Sequence, residues 1–130
     1  MPEQHRHRKR FGQNFLHDTN LLHKIIHFIN PQAHEHVIEI GPGQGALTQF
    51  LANKVNRLDL IEIDRDLVAY LQQRFNHENI NIHQADVLKF NFTQILPQTG
   101  KVRVIGNLPY NISTPILFKL LNHAEKIADM

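Results

Sequence analysis

The sequence predicts an α/β fold in which a parallel sheet carries helices on both faces. Three observations lead there. Short β-branched runs alternate with helical patterns along most of the chain: HVIEI before ALTQFLANKV, RLDLIEID before RDLVAYLQQRF, INIHQADVLKF, and KVRVI before TPILFKLLNHAEKI. Such alternation requires crossover connections and therefore parallel strands. The first strand also runs directly into GPGQG and out into a helix, and the fourth strand ends at Gly106 before the loop NLPY. Loops at the carboxyl ends of strands are where open α/β sheets hold ligands.

The elements can be justified in order. DTNLLHKIIHFINP reads as a helix, with Asp18 or Thr19 as its cap and Leu21, Leu22, Ile25, Ile26 and Ile29 on one face. Asn30 and Pro31 stop it. Four strand and helix units follow, and the chain ends at Met130 just after the fourth unit's helix. That abrupt end predicts the first part of a longer protein, a sheet truncated after its fourth unit.

Length and composition narrow the class. With 130 residues there is room for one domain, and 42% hydrophobic with 20% charged residues is ordinary for a globular chain. No apolar run approaches the roughly 18 residues of a membrane helix. The charged start MPEQHRHRKR lacks the apolar core of a signal peptide. Zero cysteines exclude disulfides and thiolate metal sites and fit a cytoplasmic location. The net charge of +2 is unevenly placed. Arg6, Arg8, Lys9 and Arg10 against Glu3 give residues 1–10 a charge of +3, and the remainder carries −1. Residues 1–10 therefore read as a basic arm able to neutralise phosphates, or as a solvated terminus. The ten histidines invite a metal reading. His23 and His27 lie four apart on a helix and His34 and His36 flank Glu35, yet they fall on its polar side or in a loop, and the expectation is solvated histidines and no metal.

In GPGQG the spacing is G-x-G-x-G, not the G-x-G-x-x-G of a dinucleotide loop. Gly41 and Gly43 let the backbone approach a ligand, and S-adenosylmethionine, which has no pyrophosphate, fits this loop better than a nicotinamide cofactor. A purely structural turn is the alternative. About twenty residues on, the strand LDLIEID brings Glu62 to where a carboxylate can accept from two vicinal ribose hydroxyls, with Asp64 read as the cap of the next helix; the alternative is that both only cap RDLVAYLQQRF. Asp86, after the third strand, faces the position of an adenine, or is a simple turn residue.

The loop Asn107, Leu108, Pro109, Tyr110 suits an adenine amine as substrate, with an ordinary Asn-x-Pro turn as the alternative. Two acceptors, the Asn107 side-chain carbonyl and the Leu108 backbone carbonyl, can hold the two amine protons and direct the nitrogen lone pair at an electrophilic methyl. Pro109 restricts Leu108 to extended conformations and so fixes its carbonyl. Tyr110 offers a ring for stacking the base. Rate would come from orientation and near-attack geometry.

In their order and spacing, RKRFGQNFL, VIEIGPGQGALT, IEIDRDL, QADVL and GNLPYNISTP resemble the ribosomal RNA adenine N6,N6-dimethyltransferase family. That family includes the bacterial small-subunit enzymes of kasugamycin sensitivity and the erythromycin-resistance methyltransferases. The resemblance implies a Rossmann-like class I methyltransferase sheet, with residues 11–130 as the N-terminal portion of the catalytic domain. It implies that Asn14 and Leu16 border the cofactor, that Gly41 lies at its methionine part, Glu62 at the ribose, Asp86 at the adenine, and Asn107 near the transferred methyl. It also implies a substrate: two adjacent adenines near the 3′ end of small-subunit ribosomal RNA in a pre-ribosomal particle, each methylated twice. No membrane partner is expected, and the full-length state is expected to be a monomer. Family members continue beyond this length into the rest of the sheet and a smaller helical domain. Two other readings stay open, a DNA adenine N6-methyltransferase and a fragment that binds cofactor or RNA without turnover.

Overall fold

A computed structural model describes residues 19–97, 100–106 and 127–129. Its elements are α1 (Thr19–Ile29), β1 (His36–Ile40), α2 (Thr48–Leu51), β2 (Arg57–Glu62), α3 (Arg65–Arg74), β3 (Ile80–Gln84), β4 (Val102–Gly106) and β5 (Ile127–Asp129), with a single 3₁₀ turn at Phe92–Gln94 before β4. The strands form one sheet in the order β3-β2-β1-β4-β5. Every pairing is parallel. The order reverses between β1 and β4, so the crevice for a ligand opens at the carboxyl ends of these two strands.

The strands are buried on both faces, which is why their sequences read as apolar runs more than as alternations. One face packs Val37, Leu58, Leu60 and Ile80 against Leu22 and Ile26 of α1, Leu51 of α2, and Leu71 and Phe75 of α3. The opposite face buries Ile38, Ile40, Ile61, Val102 and Val104 under Val87, Phe90, Phe92 and Ile95. Among the described residues all three helices cover the first face, and the stretch after β3 covers the second. Phe90 and Phe92 meet edge to face at 5.2 Å. Each fully buried aliphatic side chain contributes on the order of 1.5–3 kcal/mol relative to exposure.

The helix expected over DTNLLHKIIHFINP is present and stops as its last residues require. Asn30 adopts φ 48°, left-handed, and its N–H donates to the Ile26 carbonyl at 2.8 Å. Pro31 cannot extend the helix.

Two expectations are corrected. The period of ALTQFLANKV predicts a full helix after the glycine loop, but regular α-helix covers only Thr48–Leu51. The residues before it are consumed by turns that close the loop, such as Gly45 N–H to the Pro42 carbonyl at 3.0 Å. The sheet also does not end with four strands. Ile127–Asp129, expected to follow from the end of a fourth helix, form a short strand parallel to β4, with Ile127 opposite Val102. The predicted fourth helix itself falls on residues outside those described.

Histidines are not all solvated either. His36 Nε2 lies 2.5 Å from Asp59 Oδ2, and His83 Nε2 lies 2.8 Å from Asp59 Oδ1. Arg57 Nε donates to Oδ2 at 2.9 Å. Asp59 is fully buried at the middle of β2, with His36 and His83 reaching it from β1 and β3. Burial pushes the Asp59 carboxyl up, but the bonds from His36, His83 and Arg57 together outweigh it and hold the group well below the usual carboxylate range. Among the described residues no cluster of side chains is arranged to hold a metal ion. Nor is any helix among them long and apolar enough to cross a membrane.

Candidate cofactor site

The site is assembled where β1, β2 and β3 end. Gly41 N–H donates to the Ile61 carbonyl at 2.9 Å, and Ala85 N–H donates to the Glu62 carbonyl at 3.0 Å, so the three strand ends are tied together. The chain then turns through Pro42 and Gly43. Gly43 has φ 62°, and a Cβ built on it would meet nothing within 4 Å among the described residues. Among those residues the space in front of Gly43 is therefore open.

Glu62, the last residue of β2, is buried beneath that loop. Its Oε1 accepts from Gly43 N–H at 3.1 Å and its Oε2 accepts from Asp64 N–H at 3.1 Å. A carboxylate has about four acceptor positions. One on each oxygen is used, which leaves a position on each for two neighbouring hydroxyls of a ligand seated over Gly43. Asp64 is the cap of α3, as the sequence predicts, with Oδ1 accepting from Asp66 and Leu67 N–H at 2.9 and 3.2 Å.

Asp86 stands two residues past β3, and its Oδ1 accepts from Leu88 N–H at 3.0 Å. It is thus a turn residue, and its second oxygen is not used by that bond. Beside these two carboxylates the structure exposes two aliphatic side chains, Ile63 at 63% and Leu88 at 40%. Ile63 follows Glu62, and Leu88 comes two residues after Asp86. Exposed aliphatics beside polar anchors offer flat contact area to a planar base. Sequence reasoning missed both. Ile63 sits inside the run LDLIEID and reads as strand interior; only the termination of β2 at Glu62 turns it outward.

Glu39 stands two residues before Gly41. This residue is buried in the middle of β1 and its Oε1 accepts from the Thr48 hydroxyl of α2 at 2.6 Å. Desolvation by burial raises its carboxyl to about 7; the Thr48 bond opposes the rise and the nearby Glu62 charge adds to it. Glu39 therefore links the strand below the glycine loop to the helix that follows it.

The structure thus brings Gly41, Gly43 and Glu62 together, with Asp86 at the end of the adjoining β3. Arg6, Arg8, Lys9, Arg10, Asn14 and Leu16 lie outside the described residues, as do Asn107, Leu108, Pro109 and Tyr110. The last described residue before the latter group, Gly106, pairs with Ile40, the residue that enters the glycine loop.

Residues 4–130 match the model of a family described as ribosomal RNA adenine dimethylase. The chain belongs to that family. Among its curated relatives, the ribosomal RNA small subunit methyltransferase A of Pseudomonas putida is 54% identical over 128 residues, which cover 98% of this chain and 48% of that protein. The chain spans about half the length of the curated family members it matches. Its fold is similar to two solved structures. One is a dimethyladenosine transferase from Plasmodium falciparum, with TM-score 0.72, 28% identity, and coverage of 85% of this chain and 39% of the other. The second is the 23S rRNA methyltransferase ErmE, with TM-score 0.70, 29% identity, and coverage of 85% and 43%. The sheet is thus the Rossmann-like sheet of class I methyltransferases expected from the sequence.

Proposed function

We propose that this chain forms the cofactor-binding part of an S-adenosylmethionine-dependent methyltransferase that acts on the N6 amines of two adjacent adenines near the 3′ end of small-subunit ribosomal RNA. One observation carries the cofactor reading: Glu62 and Gly43 meet at 3.1 Å beside open space, with Ile63 and Leu88 exposed nearby. These residues fit an adenosine-type group. Glu62 has acceptor positions for its ribose hydroxyls, Asp86 a carboxylate oxygen for its exocyclic amine, and the two aliphatics cover for its ring. Gly43 leaves room beside the loop among the described residues, Gly41 is assigned to the amino acid part by the family resemblance, and Asn14 and Leu16 border it from the N-terminal segment. When bound, S-adenosylmethionine supplies an electrophilic methyl on a sulfonium, and no metal is needed for that chemistry. Family membership supports the adenine substrate and the rRNA.

The chain's own residues orient the acceptor. Asn107 and Leu108 accept the two protons of the N6 amine, so that its lone pair is directed away from the ring. Pro109 holds Leu108 extended, and Tyr110 stacks on the base, a contact worth on the order of 1–3 kcal/mol. The Gly106 to Ile40 pairing, which starts this loop beside the glycine loop, supports the assignment. Arg6, Arg8, Lys9 and Arg10 neutralise RNA phosphates in the pre-ribosomal particle. The protein acts in the cytoplasm and, at full length, as a monomer.

Calorimetric titration with S-adenosylhomocysteine, with NAD and a Glu62→Ala variant as controls, tests the cofactor reading. Wild type is expected to bind the homocysteine compound and not NAD, and the variant is expected to lose that binding. Equal affinity of variant and wild type would overturn the role of Glu62, and binding of NAD alone would replace the reading with a dehydrogenase. A labelled-methyl assay on undermethylated small subunits, run with a protein of its relatives' full length, then tests the substrate.

A further inference from the structure

The outgoing half of the glycine loop is gripped from α3 by one side chain. Arg74, in the last turn of α3, donates from Nη1 to the Gln44 carbonyl at 2.7 Å and from Nη2 to Gln49 Oε1 at 2.9 Å. Gln49, on α2, in turn donates from Nε2 to the Ala46 carbonyl at 2.9 Å. The Arg74 guanidinium also lies over the ring of Phe75 at 5.0 Å from its centroid, and that ring occupies the space where Gly45 would carry a Cβ. Positions 44, 45, 46 and 49 are therefore held by Arg74 and Phe75, two adjacent residues where α3 ends, directly or through Gln49.

Gln44 stands between two residues with left-handed backbone, Gly43 at φ 62° and Gly45 at φ 89°. Glycines at both sides let the Gln44 peptide planes rotate at little steric cost, so contacts from outside the loop add to its own turn bond from Gly45 N–H to the Pro42 carbonyl in fixing its shape. On one side Glu62 fixes it by accepting from Gly43 N–H. On the other side the fork of Arg74 fixes it, since a planar guanidinium can engage two acceptors in one geometry. We infer that Arg74 is a positioning residue for the cofactor loop: it acts through the Gln44 carbonyl and Gln49 to preorganise the backbone that receives S-adenosylmethionine. This rests on the proposed cofactor reading. Preorganisation raises affinity by removing an ordering cost from the binding step.

Two acceptors of Arg74, a carbonyl and a carboxamide, are neutral, which separates this role from long-range attraction between a cation and an anionic ligand. Loss of the fork should therefore persist at high ionic strength, where exposed charges are screened.

The test combines ligand affinity with amide hydrogen exchange in wild type, Arg74→Ala and Arg74→Lys. Arg74→Ala is expected to weaken S-adenosylhomocysteine binding about tenfold, a factor equal to ~1.4 kcal/mol, with the deficit retained in roughly 0.5 M salt. In the ligand-free protein the Gly45 and Gln49 amides, which close the loop on Pro42 and Gly45, should exchange faster than in wild type. Arg74→Lys keeps the charge but not the fork and should recover only part of both losses. In steady state at full length the loss should fall on KM for the cofactor, with kcat changing by less than about twofold. Unchanged exchange in Arg74→Ala, a deficit that vanishes in salt, or full recovery by lysine would overturn the inference. If wild type binds no S-adenosylhomocysteine while exchange at the loop still rises in Arg74→Ala, the proposed function falls and the structural strap stands.

Discussion

Gly45 lies so close to Phe75 that a Cβ on the glycine would stand 2.5 Å from the Phe75 ring carbon Cε2 and 2.9 Å from Cζ. The phenylalanine is buried at the C-terminal end of α3, between the helix and the loop, and cannot retreat without opening the core it shares with Leu71. Gly43, two residues earlier, meets no such neighbour among the described residues. Packing therefore demands glycine at position 45, whereas at position 43 the demand is the proposed ligand access.

Alanine substitution separates these demands. Gly45→Ala combines left-handed strain with a clash against an aromatic ring and is expected to cost about 2–4 kcal/mol of stability. Gly43→Ala carries the strain alone, about 1 kcal/mol, but sets a methyl group in the space proposed for the cofactor. Urea unfolding should rank Gly45→Ala well below Gly43→Ala, whereas S-adenosylhomocysteine affinity should fall at least tenfold in Gly43→Ala. Equal unfolding midpoints would contradict the contact with Phe75.

Asn107→Ala removes one of the two acceptors assigned to the substrate amine. In a protein of full length it should reduce kcat by about 100-fold or more, since both proton contacts are needed to direct the lone pair. Affinity for the proposed ribosomal RNA substrate, attributed above to phosphate contacts of the basic arm, should change by less than about threefold. Equal losses in turnover and in RNA binding would show that Asn107 only binds.

Asp59→Asn tests the buried cluster on the opposite face of the sheet. Asparagine keeps the shape but removes the charge that Arg57 and the two histidines approach, leaving donors that a single carbonyl oxygen cannot satisfy. At neutral pH the substitution should destabilise the fold by about 2–4 kcal/mol. The native carboxyl titrates below its unfolded value, so its contribution is present above the unfolded pKa near 4 and disappears as pH falls through the native one. Denaturation of wild type and variant at pH values from neutral to strongly acid should show the two stabilities converging only at the acid end.

The parts of this architecture that depend on local pattern were legible in the chain. HVIEI, RLDLIEID and KVRVI are short, β-branched and bounded by turn residues, and they form β1, β2 and β4 in a parallel sheet. The place of Glu62 at the end of a strand was legible in LDLIEID, whereas its bonds to the Gly43 and Asp64 N–H groups were not. What could not be read locally depends on pairing. Ile127–Asp129 carry no strand pattern of their own and extend by addition to β4. Asp59 looks like a defect in an apolar strand until the register sets it opposite Ile38 and Asn81, within reach of His36 and His83. Ile63 reads as core because its exposure depends on where β2 stops.

Glu39 makes the remaining prediction a matter of sign. Its carboxyl is raised to about 7 by burial, against an ordinary value of 4.5, with the Thr48 hydroxyl bond opposing and the Glu62 charge reinforcing the rise. A raised carboxyl means that the native state binds its proton more tightly than the unfolded chain does. Its contribution to stability is therefore most favourable below pH 4.5, declines as pH rises from 4.5 to about 7, and is fully unfavourable above that. Over that interval the shift corresponds to about 3 kcal/mol, an upper bound because neighbouring groups relax. Glu39→Gln keeps an oxygen for the Thr48 hydroxyl while removing the ionisable proton. The variant should be more stable than wild type by about 1–3 kcal/mol at pH 8 and nearly equal to it at pH 4.5. Urea midpoints measured across that range check it, and a difference independent of pH would mean that Glu39 titrates normally.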